Sequence, residues 1–223
     1  MTAQTPMNES TTSDRGLALW EIASVISSCL IIEWFLLAFA WPSRMVALIP
    51  VALALAFMIF SHRQRGESLS EIGFRLDNFI PAVRLLVLPT LVALILIVLG
   101  NWLLRKGEFG LAPFRLRFVG VYFWALFQQY AVQGFINRRA QLAAGKGVKS
   151  VFLVAAAFSL VHLPNPFLSL ITFAGGLVWA AVYQRQPNLF ALALSHALVS
   201  ITLALTLSQD LFYNLRVGFK YFG

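Results

Sequence analysis

Between Ala82 and Leu104 the chain reads AVRLLVLPTLVALILIVLGNWLL, and the only charge is Arg84 at its edge. Such a stretch constrains the fold more than any motif, because about 20 apolar residues in helical form cross the hydrocarbon layer of a bilayer. Six further runs have the same character: Leu17–Trp41, Met45–Phe60, Phe118–Ile136, Ser150–Leu163, Phe167–Tyr183 and Leu189–Leu207. Composition agrees. Hydrophobic residues make up 59% of the 223 and charged residues only 12%, too few to cover a water-soluble domain. The expected fold class is all-α, a polytopic membrane bundle of about seven helices. The count ranges from six to eight, because HLPNP sets Pro164 and Pro166 between the fifth and sixth runs. Neither proline supplies an N–H, so these two runs could share one irregular crossing.

The remaining segments divide the chain. Residues 1–16, opening MTAQTPMNESTTSD, are polar and lack the basic start and cleavage site of a secretory signal, so a disordered tail is expected. Residues 17–115 read as transmembrane and interfacial helices, 116–208 as the core, and 209–223 as an interfacial C-terminal segment. GESLSEIGFRLDNF is weakly amphipathic and is placed at the membrane surface. The net charge of +8 does not indicate a nucleic-acid partner. The basic residues are scattered through short loops such as HRQR, LRK and RLR beside apolar runs, as anchors to lipid headgroups are. His62, in SHRQR, is expected to be solvated. Cys29 is the only cysteine, which excludes an intramolecular disulfide and leaves it as a small core residue.

Polar side chains at membrane depth are costly and therefore informative. The fourth run carries Gln128, Gln129 and Gln133 in FQQYAVQGFINRR, with Gln129 and Gln133 one helical turn apart. The fifth places Phe158 and His162 one turn apart in FSLVH, and the seventh does the same for His196 and Ser200 in SHALVS. Each set alone reads as interhelical hydrogen-bond glue, worth about 1 kcal/mol. Together, with two of the three histidines, they point to a shared polar cavity. No metal is expected there, since two imidazoles fall short of the three protein ligands of catalytic zinc and no HExxH is present. No cofactor is expected either.

The order of these sets resembles the CAAX protease and bacteriocin-processing (CPBP) intramembrane endopeptidases, marked by EExxxR, FxxxH and HxxxN on successive core helices. QQYAVQ occupies the first position, FSLVH satisfies the second and HALVS occupies the third. Gly134 after the first motif and the run TFAGGLVWAAVYQRQPNLFALALSHA are similar to the family's texture, and ESLSEIGFR resembles an upstream element. The resemblance covers about Leu116–Leu205. It implies a bacterial inner-membrane protein acting on a prenylated or other membrane-bound peptide near its carboxyl terminus. It also implies that Gln128 stands at the base position, His162 at the water-orienting position, and His196 and Ser200 at the oxyanion positions. Gln129 and Gln133 then replace the second Glu and the Arg.

The departures are chemical. A carboxylate can take a proton from water, whereas an amide can only orient it. Loss of a general base costs about 10²–10⁴ in rate. Serine for asparagine shortens an oxyanion donor, and one such donor is worth about 3 kcal/mol. Two classes of function follow: an intramembrane endopeptidase with impaired hydrolysis, or a non-catalytic binding, scaffold or immunity-type protein using the same cavity. Glu33, deep in the first run, is an alternative base, while Glu21 near the end of that run reads as a snorkelling residue.

Overall fold

The computed structural model describes residues 12–36, 45–104, 114–206 and 216–222. Every described element is helical. Helix α1 (Thr12–Ile31) continues as a π-helical turn, Ile32–Leu36, and is followed by α2 (Met45–Gln64), the short α3 (Leu69–Ile72) and α4 (Phe79–Leu104). Helix α5 (Phe114–Gln129) passes through a second π-helical segment, Tyr130–Asn137, into α6 (Arg138–Ala144). Then come α7 (Val148–Leu160), α8 (Pro166–Arg185), α9 (Leu189–Thr206) and a 3₁₀ turn at Gly218–Tyr221.

The polytopic expectation holds. Thr12–Phe35, Phe79–Leu103, Pro166–Arg185 and Leu189–Thr206 are long and apolar enough to cross a bilayer, and Ile49–Gln64 and Val148–Leu160 are shorter apolar helices. The apolar faces turned outward, such as Leu88, Ile95 and Trp102 on α4, have hydrocarbon as their solvent. Residues 105–113, where Gly107, Gly110 and Pro113 argue against a continuous helix, lie outside the described residues, as do residues 1–11. Helix α1 begins at Thr12, within the stretch read as a tail, with Asp14 in its first turn, where a negative charge suits the helix dipole.

Two helices flank HLPNP. Asn165 Oδ1 accepts from Leu168 N at 3.0 Å, and Pro166 starts α8 where a missing N–H costs nothing. Helices α7 and α8 then form the most extensive packing pair, while α9 packs against both α4 and α5, and α1 runs against α6. Gly176 permits the α7–α8 approach, since a Cβ there would fall 2.9 Å from the Ala155 Cα.

The segment expected to rest at the membrane surface is bonded to the bundle. Ser68 and Glu71 form a capping box at α3, and Gly73 closes it at φ 108°. Tyr183 Oη donates to Ile72 O at 2.7 Å, Leu189 N donates to Gly73 O at 2.9 Å, and Asn188 Nδ2 donates to Arg75 O at 2.7 Å. The buried axis of the molecule is the π-helical segment, where Tyr130, Val132, Gln133, Gly134, Phe135, Ile136 and Asn137 are all buried. Cys29, read as a core residue, is only half-buried.

Candidate functional site

Five helices, α4, α5, α7, α8 and α9, build the pocket. Gln129, the last residue of α5 before the π-helical segment, is 1% exposed, and its Nε2 lies 3.2 Å from His196 Nδ1 on α9. His162 sits in the turn after α7, where its Nδ1 donates to Phe158 O at 2.6 Å. A carbonyl only accepts, so this bond places the His162 proton on Nδ1 and leaves Nε2 as an acceptor. Phe158 joins the two imidazoles: its ring centroid is 4.8 Å from that of His162 and 5.8 Å from that of His196. Trp179 of α8 covers His196 at 4.5 Å and donates Nε1 to Ser195 Oγ at 3.1 Å. Thr90 on α4 completes this edge, its Oγ1 2.7 Å from Ser195 Oγ.

The other sequence-derived residues divide. Gln133 is fully buried but turns to Asn137, whose Nδ2 donates to Gln133 Oε1 at 2.8 Å. Gln128 and Ser200 are half-buried, and their side chains hydrogen-bond to none of the described residues. The structure therefore brings Gln129, rather than Gln128, to the histidine pair. Sequence reasoning missed Trp179, Ser195 and Thr90. The adjacency of Ser195 to His196 was the one available signal, since a tryptophan in an apolar run has no polar marking.

No carboxylate among the described residues pairs with either histidine, and none forms a group suited to a metal ion. Glu33 is half-buried in the first π-helical turn, with its backbone against Gly218. The other described glutamates stand elsewhere. Glu71 caps α3, while Glu21 and Glu67 belong to a buried ionic cluster.

That cluster corrects two expectations. Glu21 does not snorkel. It is 7% exposed, takes a hydrogen bond from Ser61 Oγ, and pairs with Arg65 Nη2 at 2.8 Å and Arg139 Nε at 3.0 Å. His62 is not a solvated loop residue, because it ends inside α2, is 4% exposed and bonds Glu67 Oε2 through Nδ1. Arg139 is fully buried and reaches Glu67 Oε1 and Oε2, each at 2.9 Å. Arg138 Nε reaches Glu67 Oε1 at 2.7 Å. Burial pushes the Glu67 carboxyl up, but hydrogen bonds from His62, Arg139 and Arg138 outweigh it and hold the group well below the ordinary carboxylate range. The cluster fastens α1 and α2 to the end of the π-helical segment.

Beside the imidazoles, a cleft of about 660 Å³ opens between α4, α8 and α9. Its walls are apolar, including Leu88, Leu96, Phe167 and Leu203, and its inner end is formed by Thr90, Trp179 and Ser195. Imidazoles, an amide and aromatic rings held between spanning helices, next to an oily cleft, define an integral membrane protein with a buried polar pocket. The family follows from comparison. Residues 87–202, just over half of the chain, match the model of the Rce1-like type II CAAX prenyl endopeptidases, and the chain belongs to that family. No curated protein and no solved structure matches it.

Proposed function

We propose that this chain receives the carboxyl-terminal segment of a lipid-linked peptide in the histidine pocket and that its hydrolytic step is impaired. The observation that carries the proposal is Gln129 at hydrogen-bonding distance from His196, with no carboxylate among the described residues paired to either imidazole. His162 Nε2 is an acceptor suited to orienting a water, and His196, accepting at Nδ1, presents Nε2–H to a peptide carbonyl. Proton removal from that water falls to the imidazole alone, with no paired carboxylate to share the proton or stabilise the imidazolium, and the loss of that carboxylate lowers turnover by about 10²–10⁴. The apolar cleft ending at Trp179 and Ser195 suits the peptide's hydrocarbon chain.

The test uses the full chain in lipid vesicles, with prenylated and unprenylated peptides of one sequence. Capture of the prenylated peptide is expected to weaken at least tenfold in His162→Ala and His196→Ala, with cleavage near background. Robust cleavage by the unmodified chain that either substitution abolishes refutes the impairment. Failure to capture either peptide refutes the binding reading.

A further inference from the structure

Two fully buried polar atoms on the axial helix are left without a protein partner, and they are complementary. Gln129 Oε1 is an acceptor and Gln133 Nε2 is a donor, one turn apart, on residues 1% and 0% exposed. We infer that a buried water bridges these two atoms. We further infer that the amide chain running from Gln133 to the bundle's exposed end sets, through this water, the Nε2–H tautomer of His196.

Direction enters the chain at a backbone group. Gly147 lies in the exposed α6–α7 turn, and its N–H donates to Gln184 Oε1 at 2.9 Å. A backbone N–H only donates, so Gln184 must turn its Nε2 the other way. There it donates to Asn137 Oδ1 at 3.0 Å and to Ser150 Oγ at 2.9 Å. Gln141 Nε2 also donates to Asn137 Oδ1, at 3.0 Å. Asn137 is thereby oriented, and its Nδ2 donates to Ala180 O at 3.3 Å, a second backbone reference, and to Gln133 Oε1 at 2.8 Å. Gln133 is left with Nε2 as a buried, unspent donor.

A water accepting from Gln133 Nε2 has hydrogens to give, and Gln129 Oε1 takes one. Gln129 then presents Nε2–H to His196 Nδ1, which must be the unprotonated nitrogen. The reversed Gln129 amide would point a second donor at the same water and leave the water's own hydrogens facing apolar side chains. Asn137, Gln184 and Ser150 are thus positioning residues, acting on His196 through the water and Gln129.

The test is solid-state NMR of the full chain in lipid bilayers without peptide, with ¹⁵N in the histidine rings and glutamine side chains. In the unmodified chain, His196 Nδ1 is expected to resonate as an unprotonated nitrogen, and water protons are expected to transfer magnetisation to the Gln133 side-chain amide. His196→Gln assigns the His196 signals by their loss. Gln133→Met is expected to abolish the water transfer at Gln129 and mix the His196 tautomers while the His62 signals stay in place, showing that the fold persists. A protonated Nδ1 in the unmodified chain, absence of water transfer to Gln133, or an unchanged tautomer in a folded Gln133→Met chain overturns the inference. All readouts are taken on the resting protein, so they stand or fall apart from peptide capture.

Discussion

Arg139→Met tests the ionic cluster most directly. The native guanidinium is fully buried and reaches both Glu67 oxygens and Ser61 Oγ at 2.9 Å. It also lies 3.0 Å from Glu21 Oε2 and 4.8 Å from the Phe135 ring centroid. Removing one partner of a buried ion pair costs about 3–5 kcal/mol. The lower half of that range is expected, because Glu67 keeps Arg138 and His62 while Glu21 keeps Arg65 and Ser61. Adding Glu67→Gln removes one of the stranded carboxylates, so the double variant should recover about 2 kcal/mol against the sum of the single losses. Reversible unfolding in mixed micelles, followed by tryptophan fluorescence, measures all four corners of the cycle. Acid supplies a second reading. Because the folded carboxyl of Glu67 is depressed, its stabilisation is complete above its unfolded value of about 4.3 and is lost as pH falls below it towards the folded value. The Arg139→Met penalty should therefore shrink below about pH 4. A loss under about 1 kcal/mol at neutral pH, or additivity within about 0.5 kcal/mol, would show that the cluster does not fasten these helices.

Three further outcomes are expected. Gln128→Glu alone should leave cleavage of prenylated peptides near background, because that side chain bonds neither histidine; a gain of about 10²-fold, the contribution of a general base, contradicts the placement of Gln129 at the pocket. Gly176→Val should destabilise the bundle by about 1–3 kcal/mol in the same unfolding assay, since its Cβ would meet the Ala155 backbone; an unchanged transition refutes the close approach. Asn188 is fully buried, donates to Arg75 O and Asn78 Oδ1, and accepts from Ala191 N at the start of α9. Asn188→Ala should cost about 1–3 kcal/mol and speed proteolysis within 69–78; a wild-type proteolysis pattern argues against that tether.

The helices were readable because hydrophobic length is a local property. The apolar run Ala82–Leu104 reappears within α4, and HLPNP carries both the end of α7 and the start of α8 in its own letters. The inward face of Gln129 and Gln133 was readable from their four-residue spacing, and motif order singled out Phe158, His162 and His196, whose imidazoles both pack on the Phe158 ring. Roles within the pocket were less so. Motif alignment placed Gln128 where a base would stand, yet burial and contact with His196 belong to Gln129. The ionic cluster was hidden for a different reason. Each charge looked like a headgroup anchor because its partners lie far along the chain: Glu21 meets Ser61 across 40 residues and Arg139 meets Ser61 across 78. Spacing rules for helices see three or four residues, not forty. The π-helical segment likewise carries no marker in YAVQGFIN that separates it from an ordinary turn.

The amide chain also decides what reversion can do. The family pattern to which QQYAVQ corresponds has a carboxylate at 129 and an arginine at 133. The structure shows why Gln133 cannot simply be exchanged back. It presents an acceptor to Asn137 Nδ2, and an arginine has only donors, so donor would face donor in a fully buried site. Asn137 cannot turn over to help, because its oxygen holds Gln184 and Gln141 and its nitrogen holds Ala180 O. Gln129→Glu with Gln133→Arg should therefore be less stable than the unmodified chain by about 1–3 kcal/mol, the cost of an unsatisfied buried group, despite the restored charge pair. Adding Asn137→Asp supplies the missing acceptor towards the introduced guanidinium while still accepting from Gln184; because its second oxygen then faces Ala180 O, it should recover only part of the stability that the double variant lost. Micellar unfolding of the double and triple variants gives the comparison. If the double variant is as stable as the native chain, the neutral amides at 129, 133 and 137 are independent substitutions, and the directional coupling from Gly147 to His196 is not what holds them together.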